Sequence, residues 1–201
     1  MATTRRTTDA PATREAILAA ARRRFLEHGF SGTSIRDVAA DAGVGVSLVM
    51  HHVGSKQALW QEVKRGLLAA FVDGMESRLL AGKAGPELLE ESLRSYFSWL
   101  AEHPDMVRIE AWRDLERQDL TADERRVIEL GRVRMREAQA AGLFRVDLDV
   151  DLALFAVLAM VSAWHGSTRR RAWPANADRR YIDTVIAMLA GGLLTPRKGA
   201  R

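Results

Sequence analysis

The stretch AGVGVSLVMHHVGSK, residues 42–56, decides the fold of this 201-residue chain. Two adjacent histidines lie in a mostly apolar octet, which a Gly-Val-Gly turn precedes and Gly-Ser-Lys follows. The pattern fits three kinds of site: a metal site, a phosphate-binding loop, or a helix that recognises DNA. The choice among them determines the function.

Metal and phosphate chemistry both fit poorly. Adjacent helical residues point about 100° apart, so His51 and His52 cannot grip one ion as an i, i+4 pair can. Residues 43–45 lack the third glycine and the preceding strand of a dinucleotide fold, and residues 54–56 lack the upstream glycine of a P-loop. We therefore expect no metal and no cofactor.

The surrounding residues favour a recognition helix. Apolar side chains spaced four apart from Ile17 to Phe25 predict a helix over about residues 13–28. A short helix over residues 35–41 follows, and a glycine-containing turn joins it to a third helix that runs through residues 47–52. Two short helices joined in this way form a helix-turn-helix pattern.

Positive charge is concentrated in the same part of the chain. The formal net charge is +4; residues 1–65 hold ten Lys and Arg against six Asp and Glu, whereas residues 66–201 hold twenty of each. A basic first third indicates a module that binds a polyanion.

The composition excludes several other classes of protein. The chain has no cysteine, which excludes disulfides and thiolate zinc sites and favours a reducing cytoplasm. The longest apolar run, residues 152–164, is shorter than the roughly 20 residues that span a bilayer. The N terminus lacks the apolar core of a secretory signal. We expect a cytoplasmic protein without a membrane partner.

Residues 13–63, TREAILAAARRRFLEHGFSGTSIRDVAADAGVGVSLVMHHVGSKQALWQEV, resemble the N-terminal DNA-binding domain of the TetR (tetracycline repressor) family. The matching motifs are GF-x-x-TS-IRD-VA and HH-x-GSK. The rest of the chain agrees only in length and helical character. The resemblance implies a homodimer that binds a palindromic DNA operator, a helical domain for a small-molecule effector of unknown identity, and repression that the effector relieves.

The expected fold is all-α, with about nine helices. An N-terminal three-helix helix-turn-helix DNA-binding domain precedes a larger helical domain for ligand binding and dimerisation. The predicted parts are a flexible basic arm (1–12), the helix-turn-helix domain (13–56), the effector-binding and dimerisation domain (57–196) and a tail (197–201).

The expected DNA-binding surface is formed by the outward face of the third helix, the start of the second helix, and the start of a fourth helix that begins at Lys56. Lys56 and the free N–H groups beside it can meet one phosphate, and Thr33 and Ser34 can do the same at the second helix. In the resembling family, the histidine pair ends the recognition helix, with one histidine near the DNA backbone and the other packing nearby. The alternative for either one is a solvated histidine that the dipole at the helix C-terminus favours. The predicted DNA contacts are Thr33, Ser34, Arg36, Gly45, Val46, Ser47, Leu48, Met50, His51, His52 and Lys56.

Three positions depart from the family's pattern. Gly45 stands where a Ser or Thr usually caps the recognition helix, Met50 replaces a frequent tyrosine, and Val53 replaces a frequent core phenylalanine. A phosphate-clamping tyrosine is therefore missing, which affects the contacts to DNA more than the fold.

The C-terminal domain carries bulky and polar residues that could surround an effector. Each apolar one alone fits ordinary core packing, but as a set they indicate a cavity with a few polar ends. The candidate effector contacts are Tyr96, Trp99, Met106, Glu110, Trp112, Arg113, Met135, Phe155, Met160 and His165.

The last two long helices are the expected dimer interface. Residues 152–164 are apolar on every face, so the helix needs cover on two sides. Paired across a two-fold axis, these helices form a four-helix bundle; the alternative is the central helix of a monomeric core. The candidate interface residues are Leu154, Leu158, Val161, Tyr181, Ile182, Val185, Ile186, Leu189 and Leu193.

Two other functional classes remain as alternatives. An enzyme could use Glu110 with Asp114, or His103 or His165, yet no nucleophile, metal set or cofactor loop accompanies them; we predict that the chain is not an enzyme. An architectural DNA-binding protein or a regulator without an effector would share the same DNA-binding domain. Ligand-sensitive operator binding separates these from an effector-controlled regulator.

Overall fold

The computed structural model describes residues 10–81 and 85–193. Over these residues the regular elements are helices, which confirms the all-α prediction. They are α1 (Ala10–His28), α2 (Ile35–Ala42), α3 (Val46–Val53), α4 (Lys56–Ala81), α5 (Pro86–Glu102), α6 (Pro104–Leu115), α7 (Ala122–Ala140), α8 (Val150–Gly166) and α9 (Ala177–Leu193), with a 3₁₀ turn at Thr168–Ala172. Most of the predicted basic arm and the whole predicted tail lie outside the described residues.

The helices form two compact units. Within the described chain, unit 1 contains residues 10–68 together with 108–121, and unit 2 contains residues 69–107 together with 122–193. Residues 108–121, which include most of α6, thus pack with helices from the start of the chain.

Unit 1 is built around one tryptophan. Trp60 of α4 is fully buried, and its ring meets the rings of Phe25 at 5.0 Å and Phe30 at 5.8 Å, edge to face in both cases. Aromatic pairs in this geometry are favourable beyond the area that they bury. This cluster therefore joins α1, the turn after it and α4.

The turns in unit 1 use local capping. Ser34 caps α2: its hydroxyl accepts the Asp37 N–H at 3.1 Å, while the Asp37 carboxylate accepts the Ser34 N–H at 3.1 Å. Gly43 ends α2 with φ +69, a left-handed conformation that glycine adopts without strain. A fixed start and a fixed end make the short α2 a defined support for α3.

The core of unit 2 lies between α5, α8 and α9. A smaller cluster joins α7 to the start of α8. The buried residues of the main cluster are Leu93, Phe97, Leu100, Val157, Val161, Ile182, Val185 and Leu189.

Substitution of Gly29 should destabilise the fold more than the same substitution at Gly43. Both have positive φ, +71 and +69, where alanine costs about 1–2 kcal/mol. An added Cβ at Gly29 would lie 2.6 Å from the Trp112 ring and from the Glu116 carboxylate, whereas at Gly43 it would meet nothing within 4 Å. Overpacking should add roughly 1–3 kcal/mol to the cost of Gly29→Ala. Urea unfolding of the two variants measures the difference, and equal losses would contradict this close approach of α6.

Candidate nucleic-acid interface

Helix α3 buries one face and exposes the other. Val49 is fully buried in unit 1, whereas the large side chains of Val46 and Met50 are each 42% exposed. Ser47 and His51 are also exposed. The outward face of α3 therefore combines apolar and polar side chains that a partner could contact.

The ends of α3 are held by backbone and not by side-chain caps. Gly45 precedes the helix without a side-chain hydrogen bond, and the N–H of Gly54 donates to the carbonyl of Met50 at 2.9 Å at the other end. The rings of His51 and His52 meet edge to face with centroids 5.5 Å apart. The orientation of α3 thus depends on packing through Val49 and on the glycine turns.

An ion pair ties α1 to α2 behind the recognition helix. The Arg24 guanidinium donates two hydrogen bonds to the Asp41 carboxylate, at 2.6 and 2.7 Å. These bonds hold the pKa of the Asp41 carboxyl below its usual value. A bidentate pair of this kind adds geometric specificity to the contact between the two helices.

The start of α2 presents Ser34 but not Thr33. Thr33 is 2% exposed, and its hydroxyl donates to the Gly29 carbonyl at 2.8 Å. The structure therefore corrects the expectation for this side chain: its hydroxyl stabilises the turn before α2 and is not available to a phosphate. Ser34 and Arg36 are exposed at the first turn of α2.

Lys56 begins α4, and an aromatic ring holds its ammonium group. The Nζ atom lies 4.3 Å from the centroid of the Phe30 ring, a cation–π contact. The hydroxyl of Ser55 accepts the Ala58 N–H at 3.0 Å and so caps the same helix end. Phe30 is not among the predicted DNA contacts; the available signal was its place in the Gly-Phe motif.

The structure brings the predicted DNA contacts together in unit 1. They belong to α2, α3, the residues that cap them, and the first residue of α4. Leu48 and His52 are half-buried, so they contribute less exposed surface than their neighbours.

The predicted effector contacts are divided between the units. Glu110, Trp112 and Arg113 belong to unit 1, and the others belong to unit 2. Phe155 is 72% exposed. This corrects the expectation that Phe155 lines an interior cavity of unit 2. Met106 is fully buried, and Met135 belongs to the smaller core cluster.

An aromatic group in unit 2 contains several of the remaining candidates. The Phe71 ring lies 5.3 Å from that of Tyr96 and 4.6 Å from that of Trp99. The hydroxyl groups of Tyr96 and Ser162 share a hydrogen bond at 3.0 Å. Phe71 and Ser162 were not among the predicted residues, because a core residue and a ligand contact look the same in a helical pattern.

His165 packs beside this core. Its ring lies 4.4 Å from that of Phe97. Burial lowers the pKa of His165, and the nearby Arg170 guanidinium lowers it further. Both effects favour the neutral imidazole, which can donate one hydrogen bond and accept another.

Several predicted dimer contacts are core residues of the chain itself. Val161, Ile182, Val185 and Leu189 are buried in the main cluster of unit 2, which corrects their assignment to an interface between copies. The half-buried residues are Leu154, Leu158, Tyr181 and Ile186. The side chain of Leu193 lies outside the described part of the structure.

Other apolar side chains of α8 and α9 are exposed. Leu152 and Phe155 on α8 are 69% and 72% exposed, and Met188 on α9 is 63% exposed. The exposed apolar side chains of α8 and α9 thus lie on faces other than those that carry Val161, Ile182, Val185 and Leu189.

Two family models match the chain in sequence. The first, bacterial regulatory proteins of the tetR family, matches residues 17–63. The second, the tetracyclin repressor-like C-terminal domain, matches residues 92–189. The second match includes residues 108–121, which the structure places in unit 1.

Curated relatives of the chain are named as transcriptional regulators of the HTH type. The HTH-type transcriptional repressor NicS of Pseudomonas putida is 28% identical over 172 residues, covering 82% of this chain and 80% of that protein. The HTH-type transcriptional regulator BetI of Agrobacterium fabrum is 30% identical over 116 residues, covering 52% of this chain and 56% of that protein.

Solved structures share the fold. A tetR-family transcription regulator from Shewanella sp. PV-4 is similar with a TM-score of 0.68 and 19% identity, covering 92% of this chain and 99% of that one. AibR, solved with isovaleryl coenzyme A and operator DNA, is similar with a TM-score of 0.65 and 20% identity, covering 88% of this chain and 97% of that one.

The chain belongs to the TetR family and is a transcriptional regulator. The family and the relatives named above are regulators of transcription. Among the described helices, none is long and apolar enough to cross a membrane.

Lys56→Ala and Ser47→Ala should affect DNA binding in different ways. Loss of the Lys56 ammonium should weaken binding to all sequences and reduce the salt dependence by about 0.9 in the slope of log K against log salt, the value for one phosphate. Loss of the Ser47 hydroxyl should change the preference among operators and keep the slope. Fluorescence anisotropy titrations at several salt concentrations measure both. A Lys56→Ala protein with unchanged affinity and slope would remove Lys56 from the interface.

Proposed function

We propose that the chain is a ligand-responsive transcriptional repressor that binds a palindromic operator as a dimer and releases it when a small-molecule effector binds. The main support is the exposed face of α3, held by the buried Val49. The relative NicS is named a repressor, and AibR was solved with both a ligand and operator DNA. The alternative is a regulator or architectural protein that binds DNA without an effector.

The DNA-binding residues separate into two groups by chemistry. Val46 and Met50 can contact thymine methyl groups in the major groove, and the Ser47 hydroxyl can bond to a base edge. Arg36 and Lys56 carry charges suited to phosphates, which set position and affinity. Residues 13–56 therefore act as the DNA-binding domain in this proposal, and residues 57–196 as the effector-binding and dimerisation domain.

The effector site in this proposal lies in unit 2, around α5. Phe71, Tyr96 and Trp99 supply aromatic faces, and the linked hydroxyls of Tyr96 and Ser162 supply uncharged polar groups. Mostly apolar walls with a few hydrogen-bonding groups are usual in sites for small molecules.

Helix α4 is the proposed lever between effector and DNA. It begins at Lys56 in unit 1 and ends at Ala81 in unit 2, with the division after Leu68. An effector can shift the equilibrium only if it binds the conformation that does not bind DNA more tightly.

The effector hypothesis is tested by release of operator DNA. A library of small metabolites, with isovaleryl coenzyme A included as the ligand of AibR, is added to the complex of the chain with its operator. At least one compound should lower operator affinity, and Tyr96→Phe should raise the concentration needed without changing DNA binding in its absence. Arg169→Ala, at an exposed position, is the control. A ligand that binds tightly in unit 2 yet leaves operator affinity unchanged would show that its site is not regulatory.

The dimer surface in this proposal is the exposed face of α8 together with that of α9. On α8, Leu152, Phe155, Ala156, Ala159 and Ala163 are exposed at the spacing of one helical face. On α9, Met188 is exposed between the small residues at 187 and 191. Small residues allow helices to approach closely, and a two-fold axis would place the recognition helices about 34–36 Å apart, one turn of DNA.

Arginine substitutions on α8 and α9 should separate dimerisation from folding. Met188→Arg and Phe155→Arg place a charge on the exposed faces, so they should yield folded monomers that bind a palindromic operator weakly. Leu189→Arg places a charge in the core and should lower the free energy of unfolding by several kcal/mol, roughly the cost of burying an unpaired charge. Sedimentation and urea unfolding measure the two properties. If Phe155→Arg and Met188→Arg sediment as dimers, the interface lies elsewhere.

A further inference from the structure

Two side chains from the α6 segment fix the turn between α1 and α2. Glu116, directly after α6, accepts hydrogen bonds from the backbone N–H of Phe30 at 2.9 Å and of Ser31 at 3.1 Å. The indole N–H of Trp112 donates to the Leu26 carbonyl at 3.2 Å. All of these residues belong to unit 1.

The glycine of this turn allows the close approach. Gly29 lies beneath the Trp112 ring, where any side chain would collide with the ring and with the Glu116 carboxylate. Of the two N–H groups that donate to Glu116, that of Phe30 is half-buried and that of Ser31 is exposed. Because buried and half-buried backbone donors need acceptors, Glu116 holds the backbone of Phe30 in one position.

The side chain of Phe30 continues this arrangement to Lys56. Its ring packs on Trp60 at 5.8 Å and carries the Lys56 ammonium 4.3 Å from its centroid. The cation–π attraction depends on the ammonium lying over the ring face. The position of the ammonium therefore depends on the backbone that Glu116 holds.

We propose that Glu116 and Trp112 are positioning residues for DNA binding: they fix Phe30, whose ring holds the Lys56 ammonium at an operator phosphate. This inference rests on the proposed phosphate contact of Lys56. It gives Trp112 a role other than the effector contact that its sequence context suggested. It also links DNA affinity to two residues that lie 70 and 74 positions beyond the end of α2 at Ala42, but within the same compact unit.

A double-mutant cycle tests whether Glu116 acts through Lys56. Operator affinity of the full-length chain is measured by anisotropy for Lys56→Ala, Glu116→Ala and the double variant. Lys56→Ala should weaken binding by about tenfold, as expected for one charge-assisted contact, and Glu116→Ala by a smaller factor. The double variant should bind no more weakly than Lys56→Ala alone, and Glu116→Ala should reduce the salt slope.

Two further variants provide matched controls. Phe30→Leu keeps an apolar side chain but removes the ring face, so it should reproduce the effect of Glu116→Ala. Ser47 is proposed to contact a base edge and not a phosphate. The loss of operator affinity from Ser47→Ala should therefore multiply with the loss from Glu116→Ala. If Glu116→Ala fails to fold, Glu116→Gln takes its place in the cycle. It keeps one acceptor oxygen but loses the second oxygen and the charge. Amide hydrogen exchange at Phe30 and Ser31 then measures how far the turn is loosened.

The outcomes separate a failure of this inference from a failure of the proposed phosphate contact of Lys56. If the losses from Glu116→Ala and Lys56→Ala multiply and the Glu116→Ala salt slope is unchanged, Glu116 supports the fold in general and the inference is wrong. If Lys56→Ala has no effect while the wild-type chain binds operator, both the Lys56 contact and this inference fail, and DNA binding by α3 stands.

Discussion

The burial of Trp60 against Phe25 and Phe30 is the interaction on which the DNA-binding unit depends. Helices α2 and α3 have eight residues each, too short to be stable alone in water. They persist because α1, the turn after it and α4 meet at this aromatic cluster and provide a surface to pack on. The cluster also orients Phe30, so the ring that stabilises the core reaches the ammonium of Lys56 at the surface. The Phe30 side chain therefore belongs both to the core and to the proposed phosphate contact.

Helix α3 is stabilised mainly by packing against the rest of unit 1 and little by capping at its own ends. Gly45 offers no side chain to cap α3, and the helix is held by the buried Val49 and by the supports of α2. With Met50 at the position where the resembling family often has a tyrosine, the exposed face is more apolar and less able to bond to phosphate. In the proposed DNA complex, phosphate contact would then depend more on Arg36 in the first turn of α2 and on Lys56 at the start of α4.

Local sequence patterns were enough to predict the helices. Contacts between residues far apart in the sequence could not be predicted from such patterns. Helices α2 and α3 begin and end within one residue of the predicted ranges, and the Gly43 turn lies between them as the spacing predicted. By contrast, Glu116 meets Phe30 across 86 positions of sequence, and no periodicity relates them. On α9, the apolar spacing that includes Ile182, Val185 and Leu189 predicts that one face of the helix is buried. It does not predict which element buries that face. Here α5 and α8 of the same chain cover that face.

We propose that the exposed face of α3 reads the operator in a two-fold complex. The direct measurement is selection of binding sites from a random DNA pool by the wild-type chain and by Met50→Tyr. The account predicts palindromic sites from both proteins, with half-sites about one turn apart, and altered base preference at symmetry-related positions for Met50→Tyr. Enrichment of non-palindromic sites, or identical preferences from the two proteins and from a Ser47→Ala control, would contradict it.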